Sequence, residues 1–280
     1  MTIKPKLQRF QTASAFACPI CQEALDLVQQ SLACPNRHSF DLSKFGYVNL
    51  APQVKASKDY DKEKFQNRKL VLENGFYDHI LTSLSECLSP LDHPANILDI
   101  GCGEGYYSRS LQERHPDHSF YAFDLSKESI QLAAKSDQEW KVKWFVGDLA
   151  HLPLLDQSMD LLLDIFSPAN YQEFKRVLAP DGRLIKVIPT ATHLQEIRQK
   201  VKDHLDQVDY SNEQIIQHFS DHFTIENTIH CQERFELTPA LREALLSMTP
   251  LLFHVDPAQI DWTDLTQVTI SATILIGRSN

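Results

Sequence analysis

No segment of this 280-residue chain approaches the roughly 20 apolar residues of a membrane span, so no membrane partner is expected. The start, residues 1–10, is basic and has no apolar run, which excludes a secretory leader on pattern. Internal repeats and low-complexity stretches are absent as well. Basic residues are the scarcer charge: 27 Lys and Arg stand against 37 Asp and Glu, a net of −10. That balance at first argues against a nucleic-acid partner. Glycine is scarce too, at 8 residues. Three of the six cysteines, Cys87, Cys102 and Cys231, are scattered singly, and reduced cysteines without a leader point to the cytoplasm.

The other three cysteines are the most informative feature present. Cys18, Cys21, Cys34 and His38 read C-x2-C-x12-C-x3-H. Three thiolates and an imidazole at this spacing fit one tetrahedral Zn²⁺. Cys18-Pro19-Ile20-Cys21 and Cys34-Pro35-Asn36-Arg37-His38 each make a tight turn that aims two ligands at one point. All four ligands come from protein, so the expected metal is structural, with no open position for catalysis. The alternative is a chance cluster of reduced cysteines.

Charge is unevenly spread. Residues 1–70 hold 11 Lys and Arg and 6 Asp and Glu, a net of +5, which leaves the remainder at −15. Such asymmetry suggests that one end meets a polyanion, although a small zinc module can be basic merely to balance its thiolates. The length suits a small module plus a large domain. We divide the chain into a zinc-binding, RNA-recognition module at 1–50, opening with a polar tail at 1–14. A basic linker with helices follows at 51–90, and a catalytic domain at 91–280. Helices are expected at 62–72 and 77–88. From residue 96 strand and helix alternate: strands at 96–100, 119–124, 142–146, 160–165 and 183–188, and helices at 106–114, 127–135, 171–178 and 193–206. The tail reads as strands at 223–230 and 268–277 with a helix at 239–247 between them. Alternation of this kind means an α/β fold on a mostly parallel sheet.

The first of these strands runs into Leu98-Asp99-Ile100-Gly101-Cys102-Gly103-Glu104-Gly105. Glycines there let the backbone approach a ligand closely, at the carboxyl ends of the strands. Two cofactor classes compete. A dinucleotide wants G-x-G-x-x-G with its pyrophosphate on a helix N-terminus. Here Tyr106 stands at the third glycine, and Asp99 and Glu104 put carboxylates beside the loop. Carboxylates repel pyrophosphate but suit S-adenosylmethionine, which carries an ammonium and a sulfonium and no phosphate. Asp124, ending the second strand, is placed to hydrogen-bond ribose hydroxyls. Asp148, followed by Leu149 at the end of the third, is placed to accept from an adenine amino group.

These residues carry a resemblance. Leu98–Gly105, Asp124, Asp148 and the strand at Met159-Asp160 resemble the class I S-adenosylmethionine-dependent methyltransferase fold, Rossmann-like with a seven-stranded, mostly parallel sheet. The whole chain from Phe16 onward resembles the bacterial large-subunit (23S) ribosomal RNA guanine-N1 methyltransferases. The likeness rests on Cys-Pro-x-Cys, Cys-x3-His-x-Phe-Asp, Gly46-Tyr47-Val48-Asn49-Leu50, Gly75-x-Tyr77, Asp99–Tyr107, His193-Leu194 and Met248-Thr249-Pro250. It implies a zinc module that helps grip RNA, a methyl donor, and a guanine in a hairpin loop lining the peptide exit tunnel. It also implies that Tyr77, Gly103, Glu104 and His193 touch the cofactor, beside Gly101, the loop glycine already read as a cofactor candidate. The segment Asp164–Asn170 looks like the version in Gram-positive members that protect against macrolide-type antibiotics; other members carry a different polar residue at the position of Asp164.

The reaction so implied is in-line attack of guanine N1 on the sulfonium methyl. The N1 proton must leave before or during attack. Asp164, at the end of the fourth strand, is a candidate to take it, or to orient a substrate amino group. Phe166 and Tyr171 are candidates to sandwich a base turned out of its stack, or are core aromatics. A non-catalytic RNA-binding protein that holds the cofactor, and a small-molecule methyltransferase with the module as a lid, are the alternatives. A homodimer is left open.

Overall fold

The computed structural model describes residues 5–53, 62–204, 210–252, 255 and 259–280. A short helix, α1 (Pro5–Gln8), opens the chain. Three short strands, β1 (Asp26–Val28), β2 (Ser31–Ala33) and β3 (Ser39–Asp41), form an antiparallel sheet of their own, and β4 (Val48–Asn49) follows. Helices α2 (Lys62–Glu73) and α3 (Asp78–Leu88) lead into the alternating region. That region comprises β5 (Asn96–Ile100), α4 (Tyr106–Arg114), β6 (Ser119–Asp124), α5 (Lys127–Ser136), β7 (Lys143–Val146), β8 (Met159–Ile165), α6 (Tyr171–Val177) and β9 (Leu178–Pro189). After α7 (Gln195–Lys200) come α8 (Glu213–Ser220), β10 (Phe223–Glu236), α9 (Pro239–Met248) and β11 (Gln267–Ser279).

The large sheet has the order β10-β11-β9-β8-β5-β6-β7-β4. Its central strands are parallel, and β11 runs antiparallel to both β9 and β10. The seven expected strands are all present. Near-continuous apolar runs such as Leu161-Leu162-Leu163 are buried because helices cover both faces. The eighth strand was not expected: β4, from the segment assigned to the zinc module, adds in parallel beside β7, with Val48 opposite Phe145.

That strand is one of several ties that run across residue 50. Leu50 donates its N–H to Val146 O (3.0 Å). Ala17 donates to Pro153 O and Leu155 to Ala15 O, so the chain before the first cysteine pairs with the loop after β7. Phe16 is fully buried and meets Tyr121 and Phe145 edge-on at 5.2 Å each. The polar tail expected at 1–14 is not one over its described part. Phe10 packs on Phe16, and Arg9 forms a buried ion pair with Asp137 at 3.2 Å. Two apolar side chains within seven residues outweighed the polar composition around them.

Other differences are local. The helix expected at 193–206 is the shorter α7, and α8 appears where no helix was read. Residues 205–209 and the linker lysines Lys55 and Lys58 lie outside the described residues. Among the described residues no helix is long and apolar enough to cross a membrane.

Candidate functional site

The four metal-ligand candidates come together. Their donor atoms lie within 4.8 Å of one another, with Cys21 Sγ to Cys34 Sγ at 3.7 Å and His38 Nδ1 at 3.4 and 3.5 Å from Cys18 and Cys34. A tetrahedral zinc with bonds of about 2.1–2.3 Å requires edges of about 3.6–3.8 Å. The donor set and the spacing therefore both fit zinc, and all six cysteines are free thiols. Backbone bonds shape the turns: Cys18 accepts from Gln22, and Cys34 accepts from Arg37 and donates to His38 O. Arg37 adopts a left-handed φ of +67° between two ligands, with its side chain exposed. Nearby Asp41 accepts from Ser31 Oγ (2.7 Å).

The glycine loop closes β5 and starts α4. Gly105 has φ +77°, and a Cβ there would lie 2.3 Å from the Trp144 ring, so no other residue fits. Gly103 has φ +56°, and a Cβ there would meet only the Arg68 guanidinium, at 3.9 Å or beyond. Its N–H donates to Asp124 Oδ2 (3.0 Å), while Asp124 Oδ1 accepts from Ser126 N–H (2.8 Å). Burial raises the Asp124 carboxyl above the ordinary carboxylate range, and these backbone donors oppose the rise. Gly101, Gly103, Asp124, Asp148, Leu149 and Phe166 line a cavity of about 310 Å³. Five of these six were sequence candidates for the cofactor.

A second cavity of about 400 Å³ adjoins the first; Arg68, Phe166 and Ser167 line both. Its walls include Tyr77, Tyr107, Lys186, His193 and Arg198, with Met248-Thr249-Pro250 from the end of α9. Phe166 has φ +53°, an uncommon conformation for an aromatic residue, and so projects into the cleft. Its ring stacks on His193 (6.0 Å, 28°) and meets Tyr77 edge-on (6.1 Å, 80°). His193 Nδ1 accepts from Ser271 N–H at 3.2 Å, which puts the neutral ring's proton on Nε2. Burial, aided by Arg198, pulls its pKa down to about 4, and burial pushes the Tyr77 phenol up to about 12.

Four candidates line neither cavity: Asp99, Asp164, Tyr171 and Glu104, the last paired with Arg68. Asp99 lines neither cavity. Its carboxylate accepts from Ser108 of α4, and burial raises its pKa to about 7. One residue inside its strand end, it meets the covering helix and not the loop. Asp164 is completely buried and also borders neither cavity. Lys186 Nζ holds one oxygen at 2.5 Å and Ser167 Oγ the other at 2.7 Å. Buried behind Lys186 and Ser167, Asp164 does not reach the space where a substrate proton would stand, and the structure does not bring it to the cleft as a base. Tyr171 is core: it packs among Phe174, Phe219, Phe223 and His222.

Comparison with known proteins gives these cavities a lineage. Residues 16–58 match a family described as RlmA, N-terminal, a zinc ribbon, and residues 97–182 match one described as Methyltransferase domain. The Bacillus subtilis protein YxjB, named for 23S rRNA (guanine-N(1)-)-methyltransferase, is 35% identical over 97% of this chain and 99% of its own. The chain belongs to the 23S rRNA (guanine-N1)-methyltransferase family. Its Streptomyces fradiae member, 23S rRNA (guanine(748)-N(1))-methyltransferase, is 27% identical over 93% of this chain and 95% of its own. Among solved structures, Bacillus subtilis YcgJ aligns with a TM-score of 0.49 and 19% identity, over 72% of this chain and 98% of that one. S-adenosylmethionine and zinc are accordingly the cofactor and the metal of this methyltransferase.

In this family frame the residue missed from sequence is Arg68. It was counted with the basic linker, but α2 carries it to the junction of the cavities, where its Nε lies 3.4 Å from Glu104 Oε2. Both atoms are buried and make no hydrogen bond. Glu104 sits behind this guanidinium and itself lines neither cavity. Phe65, Arg68 and Leu72 at helical spacing were the available signal, since all three face the cleft.

Proposed function

We propose that this chain transfers the methyl group of S-adenosylmethionine to N1 of a guanine in a hairpin loop of 23S rRNA near the peptide exit tunnel, acting in the cytoplasm. The observation that carries the reading is the pair of confluent cavities, one edged by strand-end carboxylates and the other walled by aromatic rings, with Phe166 between them. The cofactor supplies an activated methyl on a sulfonium when bound. Asp124 would accept from the ribose hydroxyls, and Asp148 with Leu149 would border the adenine. The Arg68 guanidinium, at the junction of the cavities and with Glu104 behind it, suits a zwitterion's carboxylate. Tyr77 and His193 would border the same end.

The second cavity would receive the base. A loop nucleotide is already partly unstacked and costs least to turn out. The Phe166 ring offers it a stacking face, and neutral His193 adds no positive charge to a site that already borders Arg68, Lys186 and Arg198. Exposed Arg37 on the zinc turn supports an RNA grip away from the cleft. Primer-extension mapping of 23S rRNA from cells with and without the gene tests the reading. It expects one stop, at a hairpin-loop guanine, that disappears with the gene; identical maps would refute it.

A further inference from the structure

We propose that Lys186 is a catalytic residue of the methyl transfer, donating a hydrogen bond to guanine O6 as the base loses its N1 proton. This rests on the function proposed above. Lys186 and Asp164 are register partners on β9 and β8, so adjacent strands present their side chains together. The pair is buried, with side-chain exposures of 5% and 0%, yet Lys186 borders the aromatic cavity while Asp164 does not. An ammonium has three donors. One goes to Asp164 Oδ2 (2.5 Å) and a second to Ser167 O (3.3 Å). The third has no protein acceptor among the described residues. Ser167 in turn is held by contacts of its Oγ with Asp164 Oδ1 (2.7 Å) and Ile100 O (2.8 Å). The lysine is therefore fixed from behind and open in front, beside the ring of Phe166, on which the base would stack.

The chemistry requires such a group. Neutral guanine bears a proton on N1 and has no available lone pair there. Loss of that proton to solvent water, before the bound base shuts water out of the cleft, leaves an anion shared between N1 and O6. A cation fixed at O6 stabilises that anion, and a preorganised donor acts most strongly where charge develops in a site closed to water. The N1 electron pair then forms the N1–carbon bond, and the pair of the breaking carbon–sulfur bond returns to sulfur. Lysine keeps its proton throughout, and the one proton released is the one from N1. Asp164 is a positioning residue: it neutralises the buried ammonium and aims it.

The test is steady-state methylation of an unmodified 23S rRNA hairpin across pH, with wild type, Lys186→Met, and the paired Asp164→Asn/Lys186→Met variant. The paired variant leaves no lone buried charge that would compromise folding. S-adenosylmethionine affinity is measured by calorimetry on each. We expect kcat to fall about 100- to 1000-fold in both variants, with RNA KM and cofactor affinity within about threefold. The rising limb of the kcat–pH profile should move to higher pH, because N1 has lost the cation that acidified it. A paired variant within about threefold of wild type in kcat would overturn the proposal. So would a fall in rate with an unmoved limb, which marks a structural pair, or a matching fall in cofactor affinity, which marks an anchor for the cofactor's carboxylate. A wild type that leaves guanine N1 unmethylated would instead defeat the function itself.

Discussion

Two arginine–carboxylate pairs tie this molecule together, one wholly buried and one with its arginine 38% exposed, and they are built differently. Arg9–Asp137 joins the N-terminal segment to the loop after α5. Asp137 there also accepts from Val142 N–H (3.1 Å) and Trp144 Nε1 (3.0 Å), while Arg9 donates to Gly46 O (2.9 Å) and lies over Trp140 (4.7 Å). Only its Nε is left without a partner, and neither cavity of the cleft touches the pair. Arg68–Glu104 sits at the junction of both cavities, its charges 3.4 Å apart and without a hydrogen bond between them. The first pair is used up in holding the fold. The second keeps bonding capacity for something that is not protein. Asp164–Lys186 combines both, each carboxylate oxygen engaged by protein and the ammonium bordering the cavity.

The contrast predicts opposite responses to substitution. Arg9→Met should have the largest effect on stability. It strands a buried carboxylate and should cost about 3–5 kcal/mol in denaturant unfolding, with cofactor affinity of the folded protein unchanged. A loss of affinity without a loss of stability would reverse the assignment. Arg68→Lys keeps the charge beside Glu104 but loses the planar fork. Cofactor affinity by calorimetry should fall by about 1.5–3 kcal/mol, the usual worth of hydrogen bonds to charged groups, while the melting temperature hardly moves. Asp124→Ala should weaken cofactor binding by about 1–3 kcal/mol through unpaired polar groups; an unchanged affinity would move the ribose elsewhere.

The smallest effect concerns pH. His193 has its folded-state pKa lowered to about 4 by burial, so the unfolded chain takes up its proton first as pH falls. The neutral ring's contribution is complete above about 6.5, its ordinary pKa, and is lost as pH falls toward 4. His193→Gln should therefore flatten the stability curve between those values. Superimposable curves for the two proteins would show that His193 is exposed and ordinary.

How much of this was legible follows from how far apart the partners lie. The zinc site was readable whole because its four ligands fall within 21 residues and two turns fix their geometry. Asp124 and Asp148 could be placed at the cavity because the end of a parallel strand, and the loop just after it, opens onto the ligand side of the sheet. Asp99 was misread by one residue of register, which turned it under α4. Arg68 was hidden in a charge count. Its meaning depends on Glu104, 36 residues away, and of the 11 basic residues counted toward a polyanion-facing end Arg9 is spent inside the protein and Arg68 faces the cleft. Lys186 had only a weak signal, a cation in an apolar strand facing an acid in another. Tyr171 shows the reverse, an aromatic opening the helix after a strand that is simply core.

The central claim is that the two cavities serve one reaction, and its product is a defined nucleoside. Purified protein, S-adenosylmethionine labelled in its methyl group and unmodified 23S rRNA are incubated together, and the digested RNA is resolved by mass spectrometry. The account predicts label in 1-methylguanosine alone, about one per rRNA, with an initial rate about 100- to 1000-fold lower for Lys186→Met. Label in any other nucleoside, or none with fully folded zinc-loaded protein, would contradict it.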